Sequence, residues 1–396
     1  MNTNNRYRIF SCDGGGFRGY LTSLILKDLE QKTGSSLGEV FDLYAGTSTG
    51  SLIACGLAFG LSAKEMSEIY AIDGAKIFPE FSPQKEIVKR LALLSGAFWT
   101  GGKLLNINSK DRFPASEPIF DGTELEKSTI KIFGNETFDI FQKKNKRVLV
   151  TAYDCWNSIP IIFDSDNPVY GHLKIVDILM ASSAYPGGFP SRDISEPSFF
   201  EGWIHQSQSR CSHPPGNILP FVDGGLAANN PALVALSEYL KNQPDPKSKP
   251  VSVVIASFGT GKLMLRFDSQ QTRDMGLLDW AFPTGDPLLE TVYGGYSRIF
   301  DQITKNLLDF LDLDPNETYF RFQPLIDDQP AREENPDPGI VAIDSKQRKQ
   351  YEMATFQYSS KELLELIARK YIFANNDRLE QLARSLKLLS KSLMSL

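Results

Sequence analysis

The run Phe41-Asp42-Leu43-Tyr44-Ala45-Gly46-Thr47-Ser48-Thr49-Gly50-Ser51-Leu52-Ile53-Ala54 leaves its chain few ways to fold. A strand-compatible apolar segment meets a helix-compatible one with no linker between them. The junction holds one serine, Ser48, with Gly46 and Gly50 two residues to either side. A strand that turns directly into a helix presses backbone against backbone, which glycine tolerates because it has no side chain to collide. Such a turn predicts a hydroxyl held at a strand end. The first free N–H groups of the helix then point at whatever that hydroxyl attacks, which suits an oxygen gaining negative charge in acyl transfer. Taken alone, G-x-S-x-G equally describes a glycine-rich turn with a solvated serine. Two other stretches bear on the choice.

Arg8–Cys12 reads as a short apolar strand that ends in Asp13-Gly14-Gly15-Gly16-Phe17-Arg18-Gly19 and continues as a helix through Leu21, Leu24, Ile25 and Leu29. Gly14, Gly16 and Gly19 satisfy G-x-G-x-x-G, so a dinucleotide site is one reading. Asp13 would repel a pyrophosphate, and no acid stands at the end of a second strand to hold a ribose. A glycine loop at a helix start serves any anion, a tetrahedral oxyanion included. The third stretch, Ile218–Val222, is a strand that delivers Asp223-Gly224-Gly225 before Asn230-Pro231 opens another helix. Three strand ends thus carry oxyanion donors (Gly14, Gly15, Gly16), a nucleophile (Ser48) and a carboxylate able to accept its proton (Asp223).

Between and beyond these lie further elements. Arg147–Ala152 is an expected interior parallel strand, and Ile159–Phe163 a shorter one placed at an edge by Pro160. Asp177–Ala184 reads as a helix, Val251–Ala256 as a core strand closing on Ser257–Gly261, and Thr318–Phe322 as a last strand. Strands alternating with helices predict an α/β fold, a mostly parallel sheet covered on both faces with its site at the carboxyl strand ends. Residues 6–265 form the expected catalytic core and 266–396 a mostly helical region packed on it. That region includes a long helix, Leu288–Leu311, interrupted at Gly294-Gly295. Ser191–Gly216 shows no periodicity and reads as an inserted loop. Within Phe78–Pro118, a helix around Ile87–Leu94 precedes an aromatic, glycine-bearing segment around Trp99.

Composition removes other classes. A formal charge of -6 with no basic block leaves nothing to attract nucleic acid. Cys12, Cys55, Cys155 and Cys211 are dispersed, so neither a disulfide framework nor a metal site is expected. No signal-peptide pattern and no run of about 18 apolar residues is present, so a cytoplasmic protein is expected, with peripheral membrane contact or signal-independent secretion both compatible. Leu379, Leu382, Leu386, Leu389, Leu393 and Leu396 form a short a/d seam. It fits packing on the protein's own body, self-association, or docking on anionic lipid beside Arg378, Arg384, Lys387 and Lys391.

The motifs D-G-G-G-x-R-G, G-T-S-T-G and D-G-G, in that order, resemble those of the patatin-like phospholipases, as do Ala181–Pro186 and Gly259-Thr260-Gly261. The resemblance covers roughly the first 260 residues and implies a patatin-like three-layer fold. It also implies a Ser48–Asp223 dyad that cleaves acyl esters of phospholipid or galactolipid without metal or cofactor. Gly14–Gly16 would hold the oxyanion, Gly19, Gly46, Gly50, Gly224 and Gly225 would shape the turns, and Arg18 would steady the loop or meet a phosphate. Two alternatives stand beside it: a Ser–His–Asp triad in the chain order Ser48, Asp164 or Asp177, then His205 or His213, and an inactive lipid- or nucleotide-binding regulator.

Overall fold

The computed structural model describes residues 6–80, 118–206, 214–242, 252–276, 280, 287–329 and 337–387. The helix expected at Ile87–Leu94, the segment around Trp99, and residues Cys211 and His213 lie outside them. Eleven strands are described: β1 (Tyr7–Cys12), β2 (Leu43–Thr47), β3 (Arg147–Asp154), β4 (Ile159–Asp164), β5 (Arg192–Ile194), β6 (Leu219–Asp223), β7 (Val253–Phe258), β8 (Lys262–Leu263), β9 (Tyr319–Phe322), β10 (Leu325–Asp327) and β11 (Ile340–Ala342). The helices that position the site are α1 (Gly19–Thr33), α2 (Thr49–Phe59), α3 (Ile175–Ser182), α4 (Ala232–Lys241) and α5 (Pro287–Phe310).

The central sheet has the order β5-β6-β3-β2-β1-β7-β9, with β4 on the other side of β3; β8, β10 and β11 form a small second sheet. From β3 through β2, β1 and β7 to β9 every pairing is parallel. Successive residues of a strand face opposite sides, and the apolar residues sort accordingly. Ile9, Leu43, Ala45, Leu149 and Ile255 meet α4 and Leu308 of α5 on one face. Phe10, Tyr44, Val148, Val150 and Val254 meet α1 and α2 on the other, together with helices Lys361–Ala374 and Asn376–Leu386. This is a three-layer α/β fold with a mostly parallel sheet. Within the expected leucine seam, Leu379, Leu382 and Leu386 are fully buried in that second core; Leu389, Leu393 and Leu396 lie outside the described residues.

Several expectations need correction. β3 is parallel to β2 but antiparallel to β4 and β6, so the strand that delivers Asp223 runs against the sheet's main direction. The stretch Ser191–Gly216 is not simply a loop: it contains β5 and a helix, Pro197–Gln206, which buries Phe199, Phe200 and Trp203. Its aromatics fall at one-sided helical spacing, a signal blurred by the polar residues after it. Finally, α5 is continuous through Gly294-Gly295 rather than interrupted.

One buried ion pair ties the end of β1 to β9 across the intervening β7. Asp13, just beyond β1, accepts from Arg321 of β9, with Arg321 Nη1 2.7 Å from Asp13 Oδ1 and a second contact between Nη2 and Oδ2. Arg321 Nη1 also donates to Ser257 Oγ of the intervening β7 at 2.8 Å. Burial pushes the Asp13 carboxyl upward against the pull of Arg321, which stays protonated. Removing one partner of such a pair strands the other charge, so Arg321→Met should lower unfolding free energy by about 3–5 kcal/mol in urea melts. Adding Asp13→Asn to it should recover much of the loss. A single variant as stable as wild type would show that the pair contributes nothing.

Candidate active site

Ser48 stands between β2 and α2 with φ 53° and ψ -125°, a left-handed backbone that costs a non-glycine residue about 1–3 kcal/mol and needs its surroundings to hold it. Its N–H donates to Ser182 Oγ at 2.8 Å, and its carbonyl accepts from Ser51 N at 2.8 Å. Gly46 and Gly50 are required by close approach: a Cβ on Gly46 would lie 2.4 Å from Gly50 O, and one on Gly50 2.2 Å from Cys12 O.

Asp223 arrives from the opposite direction. β2 and β6 lie on the same side of β3, where Thr47 is opposite Thr151 and Asp223 is opposite the next residue, Ala152. The two strands therefore meet end to end, and Ser48 and Asp223 occupy the meeting point. Thr47 Oγ1 donates to Ala228 O at 2.7 Å and lies 2.7 Å from Thr151 Oγ1, so its single proton is used and Thr151 is the donor in the second bond. Ser182, at the end of α3, clamps both motifs: its hydroxyl takes the Ser48 N–H and its carbonyl takes the Gly224 N–H at 3.2 Å. Asp223 N donates to Ala184 O at 3.0 Å.

The Asp223 carboxylate is buried. Oδ1 accepts from Gly225 N at 2.6 Å, while Oδ2 has no aligned donor among the described residues. Burial pushes the carboxyl up from the usual 3.8 to about 6, against downward pulls from the Ser48 hydroxyl and the Gly225 amide. Ser48 is therefore close enough to influence the carboxylate, but the two do not form a well-aligned hydrogen bond. A carboxylate near pKa 6 is a far better match to proton transfer at neutral pH than one near 4.

The glycine loop packs against this pair. Gly14 N donates to Asn229 O at 3.2 Å and Gly14 O accepts from Thr260 Oγ1 at 2.8 Å, so the peptide is fixed at both ends. A Cβ on Gly14 would come within 3.2 Å of Ser48 Cβ. Gly14 N–H is thus already engaged, whereas those of Gly15 and Gly16 have no partner among the described residues. Gly16 adopts φ 56°. Arg18 is buried and holds the loop, donating to Gly15 O at 3.4 Å, Gly261 O at 3.3 Å and Glu290 Oε1 at 2.8 Å. Gly19 packs on Thr49 and Tyr70, Gly224 on Thr151, and Gly225 beside Asp223. Gly14, Gly15, Gly16, Arg18, Ser48 and Asp223 border a cavity of about 980 Å³ whose walls include Leu52, Ile69, Phe78, Leu125 and Phe189.

The patatin-like phospholipase family model matches residues 10–236. The chain belongs to the patatin-like phospholipase family. It is 28% identical over 65% of its length to a cGAMP-activated phospholipase of Vibrio cholerae, and 28% identical over 64% to one of Escherichia coli. It is 31% identical over 71% to patatin-like protein 1 of Arabidopsis thaliana. The chain spans about two thirds of these relatives, 64%, 62% and 66% of their lengths respectively.

The carboxylates of the alternative triad are committed elsewhere. Asp164 pairs with Arg147 at 2.6 Å, and Asp177 with Arg192. His172 is exposed; the His205 side chain and His213 lie outside the described residues. Sequence reasoning missed Ser182, Asn229, Thr260 and Arg321 as the groups that hold the patatin-like motifs in place. Ser182 and Thr260 at least stand within stretches that resemble the family.

A carboxyl whose folded pKa is raised favours the fold when protonated. Asp223 therefore imposes no penalty below about pH 4 and a full one above about pH 7, and the shift from 3.8 to about 6 is worth about 3 kcal/mol. Asp223→Asn should unfold later than wild type at pH 8, and the difference should vanish by pH 4. A variant no more stable than wild type at pH 8 would show that the buried charge is not strained.

Proposed function

We propose that this patatin-like protein is a lipid acyl hydrolase of phospholipase A type, acting on membrane lipids through a Ser48–Asp223 dyad and an acyl-enzyme. The supporting observation is the end-to-end meeting of β2 and β6, which sets a strained serine against a buried carboxylate with one oxygen unsatisfied. Ser48 Oγ attacks the ester carbonyl as Asp223 takes its proton, and the new oxyanion is met by Gly15 and Gly16 N–H with the α2 N-terminus behind Ser48. Asp223 then returns the proton to the departing lyso-lipid oxygen. A water activated by the same carboxylate releases the fatty acid.

Elevation of the carboxyl is what lets the dyad work without a histidine, because a base near pKa 4 takes a serine proton poorly. The apolar cavity walls suit an acyl chain. Among the described residues no helix is long and apolar enough to cross a membrane, so the substrate would be met by peripheral contact.

Ser48→Ala and Asp223→Asn should each lower kcat/KM on a soluble acyl ester by at least about a thousandfold. The wild-type rate should fall as pH drops through about 6, with one proton taken up by Asp223. A protein silenced by replacing His172, His205 and His213 while Asp223→Asn stays active would instead be a triad enzyme.

A further inference from the structure

Among the cations that line the cavity, Arg18, Lys305 and Arg321 are ion-paired and Arg378 lies over the Phe322 ring, which leaves Lys262 and Arg298. Lys262 follows the Gly259-Thr260-Gly261 turn, and Arg298 lies on α5; both line the same cavity as Ser48. The acids that α5 contributes to the cavity wall are already matched: Glu290 binds Arg18 and Asp301 binds Lys305, each at 2.8 Å. The side chains of Lys262 and Arg298 have no ion-pair or hydrogen-bond partner among the described residues. Burial and the nearby Arg298 both depress the Lys262 ammonium, Glu290 only partly opposing them. A half-buried lysine and an exposed arginine on the wall of one cavity, neither ion-paired among the described residues and with Glu290 turned to Arg18, describe a site that can take an anion.

Gly294 shows that the lysine is accommodated. A glycine inside a helix is unfavourable relative to alanine, yet α5 runs straight through it. The reason is Lys262, whose chain lies across the bare Cα: a Cβ there would be 2.1 Å from Nζ and 2.6 Å from Cε. Thr260, two residues before Lys262, holds the glycine loop through Gly14 O. Two residues span at most about 7 Å of chain, so Lys262 is rooted close to the proposed oxyanion site. In a glycerophospholipid only a few bonds separate the scissile carbonyl from the head-group phosphate.

We propose that Lys262 and Arg298 form the anion subsite of this cavity and that the phosphate of a glycerophospholipid occupies it, so that phosphate-bearing lipids are preferred over galactolipids. The assignment rests on Ser48 as the nucleophile of the same cavity. Lys262 supplies a point charge, Arg298 a fork that can bind two phosphate oxygens, and Gly294 the room for the ammonium to reach them.

The test is a ratio of kcat/KM values on phosphatidylglycerol and on monogalactosyldiacylglycerol with matched acyl chains, each in the same neutral detergent micelles. Lys262→Met should lower the phospholipid-to-galactolipid ratio about 10- to 100-fold, the worth of a charge-assisted hydrogen bond, chiefly through KM. Gly294→Ala keeps the lysine but displaces its end, and should move the ratio the same way while its thermal midpoint stays at or above wild type. An unchanged ratio in both variants overturns the proposal. So does an equal loss on both lipids, the outcome expected if the cations serve a soluble phosphate effector or only the packing. Ser48→Ala separates the two levels: if it still turns over both lipids, the underlying site reading falls, whatever the ratios show.

Discussion

Everything at the centre of this molecule depends on a break in one sheet position beside β3. Thr151 and Ala152 are neighbours on that strand, yet one carries the end of β2 and the other the end of β6. A continuous parallel strand there would leave no gap for a side chain at mid-sheet. Because two strands arrive from opposite directions, two turns and the two side chains of the proposed dyad converge at one point. Gly224 fits only because a Cβ there would sit 2.2 Å from Thr151 O. Ser182 then locks both arrivals through a single residue, and Thr47 and Thr151 close the contact beneath them.

The fold treats its two buried motif carboxylates in opposite ways. Asp13 receives both arms of Arg321 and is neutralised as part of an ion pair, which fixes the glycine loop to the far strand. Asp223 receives one backbone amide and is otherwise left to burial, which raises it to about 6. Satisfying a carboxylate stabilises a structure, while leaving it partly unsatisfied makes it a base. On the proposed mechanism, the strained Ser48 backbone and the elevated Asp223 are two parts of the same local instability. The large cores on both faces of the sheet offset it.

Much of this was legible in the sequence because it is local. A strand, a glycine turn and a helix are adjacent in the chain, so β1, β2, β6 and the helices after them could be read from periodicity and glycine spacing. What depends on partners far away could not. Arg321 lies 308 residues from Asp13, and nothing in either neighbourhood announces the other. The direction of β6 is invisible in Leu219–Asp223, since an apolar strand reads alike both ways. Gly294-Gly295 looked like a helix break because glycine lowers propensity, whereas α5 runs on through the pair and Gly294 leaves room for the Lys262 side chain. Gly14, Gly15 and Gly16 read as equal donors; the acceptor of the Gly14 amide, Asn229 O, and the donor to its carbonyl, Thr260 Oγ1, come from loops more than two hundred residues away.

The most direct measurement is covalent trapping with a fluorophosphonate, which reports the nucleophile itself rather than its consequences. Intact-mass and peptide mass spectrometry of the treated protein should show one phosphonyl adduct on Ser48. Its rate should decline as pH falls through about 6, because Asp223 must be ionised to take the serine proton. An adduct on any other residue, or esterase activity that survives stoichiometric modification of Ser48, would contradict the assignment.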